Sequence, residues 1–201
     1  MKKISVLDRI LLLATVLLAA YQISLGLTGL NPLAIWSYTI GFGILLVAGL
    51  LLIILGFEGL ESQVVVIIST AIPLSISLGL VVEHLPQFTL PYLIFSVLGF
   101  ASVGFSRFLF KGKTATFVLS ATHGIAGLLI TFLPLTLVIQ GNAAPGYLLV
   151  SLGGALIGLG GLLLAFLKTG KPILDQDTIF QLLPWILFLM SLSFMGGFLL
   201  S

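Results

Sequence analysis

The chain has 201 residues, of which 59% are hydrophobic and only 7% charged, and its mean hydropathy is +1.31. Soluble domains carry about 25% charged residues, so this chain lacks the polar surface of a water-soluble fold and reads as one membrane domain over 1–201. A net charge of +2 does not indicate nucleic acid, because the basic residues fall in short loops between apolar runs, and the absence of cysteine excludes disulfides, thiolate catalysis and Cys-bound metals.

Seven apolar runs follow one another, each near the ~20 residues that cross ~30 Å of hydrocarbon. The first covers 10–30, behind Lys2, Lys3 and Arg9. Its start resembles a signal peptide, but the apolar run continues past Ala20 without a clean small-x-small cleavage site, so it is expected to stay as a span. Asn31-Pro32 closes it, and the second run covers 33–57 with Trp36 and Tyr38 near its start. After a turn bearing Glu58 and Glu61, the third covers 64–85 and contains Pro73. Pro86 and Pro91 bracket the next loop, and the fourth covers 91–110. The fifth covers 115–140 with Pro134 inside it; Gly141-Asn142 and Pro145-Gly146 then lead to the sixth, 146–167. Thr178-x-x-Gln181 fits a capping box opening the seventh, 178–200, beside Asp175 and Asp177. Alternating ten-residue segments of a membrane β-barrel are not what these runs show. The fold expected is an all-α polytopic transmembrane helix bundle of seven spans.

The basic residues orient it. Lys2, Lys3 and Arg9 precede the first span, Arg107, Lys111 and Lys113 lie between the fourth and fifth, and Lys168 and Lys171 between the sixth and seventh. The other loops have no Lys or Arg, so the positive-inside rule puts the N-terminus in the cytoplasm and the C-terminus outside, in a cell (plasma) membrane. Trp36, Tyr38, Tyr92 and Tyr147 would then form a partial interfacial belt, and Trp185 would pack in the core.

A repeat suggests a 3+1+3 arrangement. Aligning Gly29 with Gly141 and Gly41 with Gly153 also aligns Gly49–Leu52 with Gly161–Leu164 and brings Pro73 within one residue of Pro184. Chance matches compete strongly, because Leu and Gly are so abundant.

The sixth span carries a small-residue stripe of Ser151, Gly154, Gly158, Gly161 and Ala165, which suits helix packing within the bundle or a homo-oligomer or partner interface. The fifth carries a polar line through Thr116, Ser120, His123, Gly127 and Thr131. His123 is the leading ligand candidate, since ionisable groups inside membrane helices usually face the interior; the bland alternative is a neutral imidazole bonded nearby. Thr70 and Ser77 give the third span a matching face, with His84 at its outer end. His84 and His123 sit at different depths, which disfavours one haem between them. No cofactor or metal site is expected. Glu83 reads as an ordinary boundary residue, and without a deep carboxylate an acidic proton relay is disfavoured.

The favoured reading is a non-catalytic subunit or scaffold in a larger membrane complex. The alternative is a small transporter or carrier for a neutral or lipophilic solute, with a cavity between the third, fifth and seventh spans. An intramembrane enzyme ranks below both.

Overall fold

The computed structural model describes residues 4–26, 29–109, 113–168 and 173–201. Among the described residues eight α-helices run in order: α1 Val6–Leu25, α2 Pro32–Leu55, α3 Gln63–Ser69, α4 Ala71–His84, α5 Thr89–Leu109, α6 Lys113–Ile139, α7 Leu148–Lys168 and α8 Gln176–Leu199. Together α3 and α4 make one span, so seven helical segments of the described residues are long and apolar enough to cross a membrane. Lys2, Lys3, Lys111 and Lys171, half of the basic residues on which the expected orientation rests, lie outside the described residues.

Helix ends follow caps rather than hydropathy. Ser5 and Asp8 form a reciprocal capping box, so α1 begins before the apolar run and ends where Gly26 takes φ +62°. Asn31 caps α2 through Leu33 N, with Pro32 as first helical residue. The expected Thr178 capping box gives way to Asp175, whose carboxylate accepts from both the amide and the hydroxyl of Thr178. An Asp three residues upstream outcompetes the Thr, because an ionised acceptor binds the first-turn amides more strongly.

Pro73 breaks the third span. It has no N–H for the Ser69 carbonyl, and the helix is interrupted at Thr70, whose amide bonds back to Ile67 O. Ser69 and Thr70 both turn their hydroxyls onto Val66 O. By contrast, α6 and α8 run unbroken through Pro134 and Pro184.

Six helices close a ring. Helix α1 packs on α2 and α8, α2 on α4, α4 on α6, α6 on α7 and α7 on α8, while α5 lies outside against α3, α4 and α6. Glycines set the closest approaches. A Cβ on Gly41 would lie 3.0 Å from Ile76, and one on Gly79 2.5 Å from the Tyr38 ring. In the last three spans, Gly153 meets Phe194 at 2.6 Å and Gly197 meets Val150 at 2.5 Å. The second-to-third and sixth-to-seventh contacts thus use glycines in the same pattern. Pro73 and Pro184 do not share it: counted from Ile76 and Phe194, Pro73 corresponds to Ser191.

The two ends of the ring differ. Tyr38 at the start of α2, the end of α4, Tyr147 before α7 and Phe198 near the end of α8 meet at one end. At the other, Phe57 after α2 stacks on Phe180 at the start of α8, with ring centroids 4.9 Å apart. The first is the aromatic end. The second is the basic end, toward which Arg9 of α1 and Arg107 of α5 lie.

Candidate functional site

A cavity of about 650 Å³ occupies the basic half of the ring. Its walls come from the second, third, fifth and sixth spans, with Leu183 and Leu187 from the seventh. It extends from Ile72, Thr131 and Gly154 at mid-span down to Gly59 and Leu60 in the turn after α2. The volume falls within the ~300–1,000 Å³ of small-molecule pockets. The lining is predominantly Leu, Ile, Val, Ala and Gly, with Ser69, Ser120, His123 and Thr131 as its polar side chains.

Glycine makes the room. A Cβ on Gly124, Gly127 or Gly158 would meet nothing within 4 Å, and all three line the cavity. Lower in the ring, Gly49 of α2 approaches α1 so closely that a Cβ would lie 2.7 Å from Val16. A Cβ on its counterpart Gly161 would lie 3.8 Å from His123 Cδ2, an ordinary van der Waals contact, so the approach is looser in the second half and His123 is the side chain that faces it.

His123 and Ser120 share the α6 wall. The His123 ring lies beside the Leu119 backbone one turn earlier, but Nδ1 is sealed from solvent and makes no hydrogen bond of ordinary geometry. Thr131 spends its hydroxyl on Gly127 O, and Ser69 on Val66 O. These bonds leave His123 and Ser120 as the polar pair that gives the chamber chemical character.

The other sequence-derived candidates are elsewhere. Thr70 is fully buried and bonded to Val66 O, outside the lining. Ser77 is buried where α4 meets α5: it bonds Pro73 O at 2.6 Å and accepts from the Tyr92 hydroxyl at 2.8 Å. Thr116 lies one turn before Ser120, also outside the lining. Along the small-residue stripe, Gly154 is pressed on Ile130, Gly158, Gly161 and Ala165 line the cavity, and buried Ser151 leaves Oγ unpaired.

The aromatic end closes the chamber. Phe42, Phe194 and Phe198 stack edge and face with Tyr38 and Tyr147. Tyr38 and Tyr147 are each only 2% exposed, so they are core residues and not part of an interfacial belt. Trp36 is 67% exposed and Trp185, expected in the core, is 44% exposed. Within this seal, Tyr38 donates to Glu83 Oε2 at 3.0 Å, and His84 Nε2 lies 2.8 Å from the Tyr147 hydroxyl. Sequence reading missed the constellation because its members are 45 and 63 residues apart along the chain. The signal available was the single acidic residue within a span, followed by a His.

Among the described residues, no three His, Asp or Glu side chains gather as a metal-holding group. The chain matches no family model, no curated protein and no solved structure.

Proposed function

We propose that the protein is a membrane carrier for a neutral, largely apolar solute, held in the chamber beside His123 and Ser120. The observation that carries this reading is the cavity of about 650 Å³, apolar on most of its wall, which runs to one end of the ring and stops under an aromatic seal at the other. A mostly apolar chamber set between the first and last three spans, reaching mid-span, is where a carrier built from repeats holds its solute. The positive-inside rule puts the basic end in the cytoplasm, so the chamber faces inward in a plasma membrane. The recurring glycine contacts support a duplicated three-span unit, with α5 as the linker outside the ring.

The subunit reading is weaker on this geometry. The sixth-span stripe is used within the chain, because Gly154 grips α6 and Gly158 opens onto the chamber. Among the described residues the lining holds no carboxylate to partner His123 in an enzymatic role.

The test is binding of a neutral lipophilic fluorophore to the purified protein in nanodiscs, with a mass measurement of the particle. Saturable binding that weakens in Gly158→Leu supports the carrier. A second protein present in stoichiometric amount, with no saturable binding, would replace it with the subunit reading.

A further inference from the structure

The seal contains an acid with no Lys or Arg beside it among the described residues, and His84 as its one nearby base. The Glu83 side chain is only 12% exposed. Oε2 accepts from Tyr38, and Oε1 is buried without any partner. The titratable groups recorded beside it are neutral or weakly basic: Tyr38 from α2, His84 on α4 itself and Tyr147 from the turn before α7, with Phe198 of α8 against the two tyrosines. His84 Nε2 is 3.9 Å from Glu83 Oε2 and is already engaged by the Tyr147 hydroxyl. No Lys or Arg among the described residues is at this end: Arg9 and Arg107 are in the first turn of α1 and the last of α5, and Lys113 and Lys168 begin α6 and end α7. A buried charge is costly unless paired and hydrogen-bonded. An ionised Glu83 would have one donor on one oxygen and a bare second oxygen. A small space of about 10 Å³, room for one water, adjoins Tyr38 and Gln22, whose Oε1 is likewise unpaired.

We propose that Glu83, with Tyr38, His84 and Tyr147, is a proton-binding site that latches the aromatic end. With the proton bound, the acid is neutral and sits in the ring stack, and the chamber is open only at the basic end. Release of the proton to water at the aromatic end leaves a carboxylate that the stack cannot solvate. Hydration of that charge separates the end of α4 from Tyr38 of α2 and from Tyr147 in the turn before α7, and opens the chamber on that side. This inference rests on the carrier reading and names the proton as its coupling ion.

The chain has no cysteine, so Thr131→Cys, at the deep end of the chamber, supplies the only thiol. In sealed proteoliposomes an impermeant maleimide is offered from either side across a range of pH. Rates are divided by those in a Thr131→Cys/Glu83→Gln background, which cancels the thiol's own titration. From the aromatic side, the ratio should rise at least about tenfold from acid to alkaline pH, the effect of ~1.4 kcal/mol. Infrared difference spectra should show a carboxylic acid C=O band that vanishes over the same pH range and is missing in Glu83→Gln.

Tyr38→Phe provides a second variant should Glu83→Gln fail to fold. Its lost donor favoured the carboxylate, so the labelling transition should move to higher pH. A flat ratio, an unmoved transition in Tyr38→Phe or an absent band overturns the latch. Labelling from the basic side separates the two claims. No reaction there overturns the carrier reading, whereas reaction there with a flat ratio at the aromatic side overturns the latch alone.

Discussion

Replacing Gly154 and Gly158 separately by alanine puts the same methyl group on the same helix one turn apart, with opposite expected results. At Gly154 the new Cβ would lie 2.7 Å from Ile130 Cγ2 and 2.9 Å from both the Ile130 carbonyl carbon and the Thr131 nitrogen. Carbon contacts settle near 3.5–4.0 Å, so the overlap is roughly 0.6–1.3 Å. Two of the three atoms are backbone, so α6 and α7 must part. Overpacking of this kind costs about 1–3 kcal/mol. At Gly158 nothing lies within 4 Å. Both substitutions gain the ~0.5–1 kcal/mol by which alanine exceeds glycine in a helix, and that gain cancels in the comparison. The difference between the variants should therefore be about 1–3 kcal/mol, with Gly158→Ala at or above wild type. Unfolding by SDS titration in mixed micelles measures it. Equal midpoints, or a less stable Gly158→Ala, would refute the reasoning.

Three further outcomes follow from individual side chains. His123→Ala should leave the unfolding midpoint near wild type and weaken binding of solutes that carry a hydrogen-bonding group more than of pure hydrocarbons; a uniform loss across both would remove His123 from a recognition role. Tyr92→Phe deletes the hydroxyl given to Ser77 where α5 meets α4, and should cost about 0.5–1.5 kcal/mol in the same SDS titration. Asp175 is held below the usual carboxylate range, first by the Thr178 hydroxyl and then by its amide. A depressed carboxylate contributes stability above the ordinary range that is lost as pH falls through the lowered value, so acid should fray the first turn of α8. Asp175→Asn still caps but does not titrate, and exchange at the Thr178 amide should lose that acid sensitivity.

Hydropathy made the spans legible because a helix in lipid must be apolar over its whole length. It missed the ends at Ser5, Gly26 and Asp175, which single polar groups or one backbone angle decide. Three spans carry an internal proline, yet only the third is interrupted beside it, since continuity at Pro134 and Pro184 depends on what neighbouring helices supply. His123 was visible because a lone imidazole stands out among leucines. The Glu83 cluster was not, since helix adjacency and rotation bring Tyr38 and Tyr147 to it, and lipid-facing and ring-facing tyrosines look alike in a one-dimensional profile.

The interruption at Thr70 has a mechanical consequence. Helix α3 has seven residues and buries none of them, yet Val65, Val66 and Ser69 form part of the chamber wall. At ~1.5 Å per residue it is an arm about 10 Å long. Its pivot is already relieved of one backbone bond, and Val66 O there holds the hydroxyls of Ser69 and Thr70. A swing of about 20° would move its N-terminal end, and the 56–61 turn joined to it, by roughly 3–4 Å, close to the width of an alkyl chain. The ring formed by α1, α2, α4, α6, α7 and α8 does not include α3. The doorway can therefore change its width while the frame around it stays still.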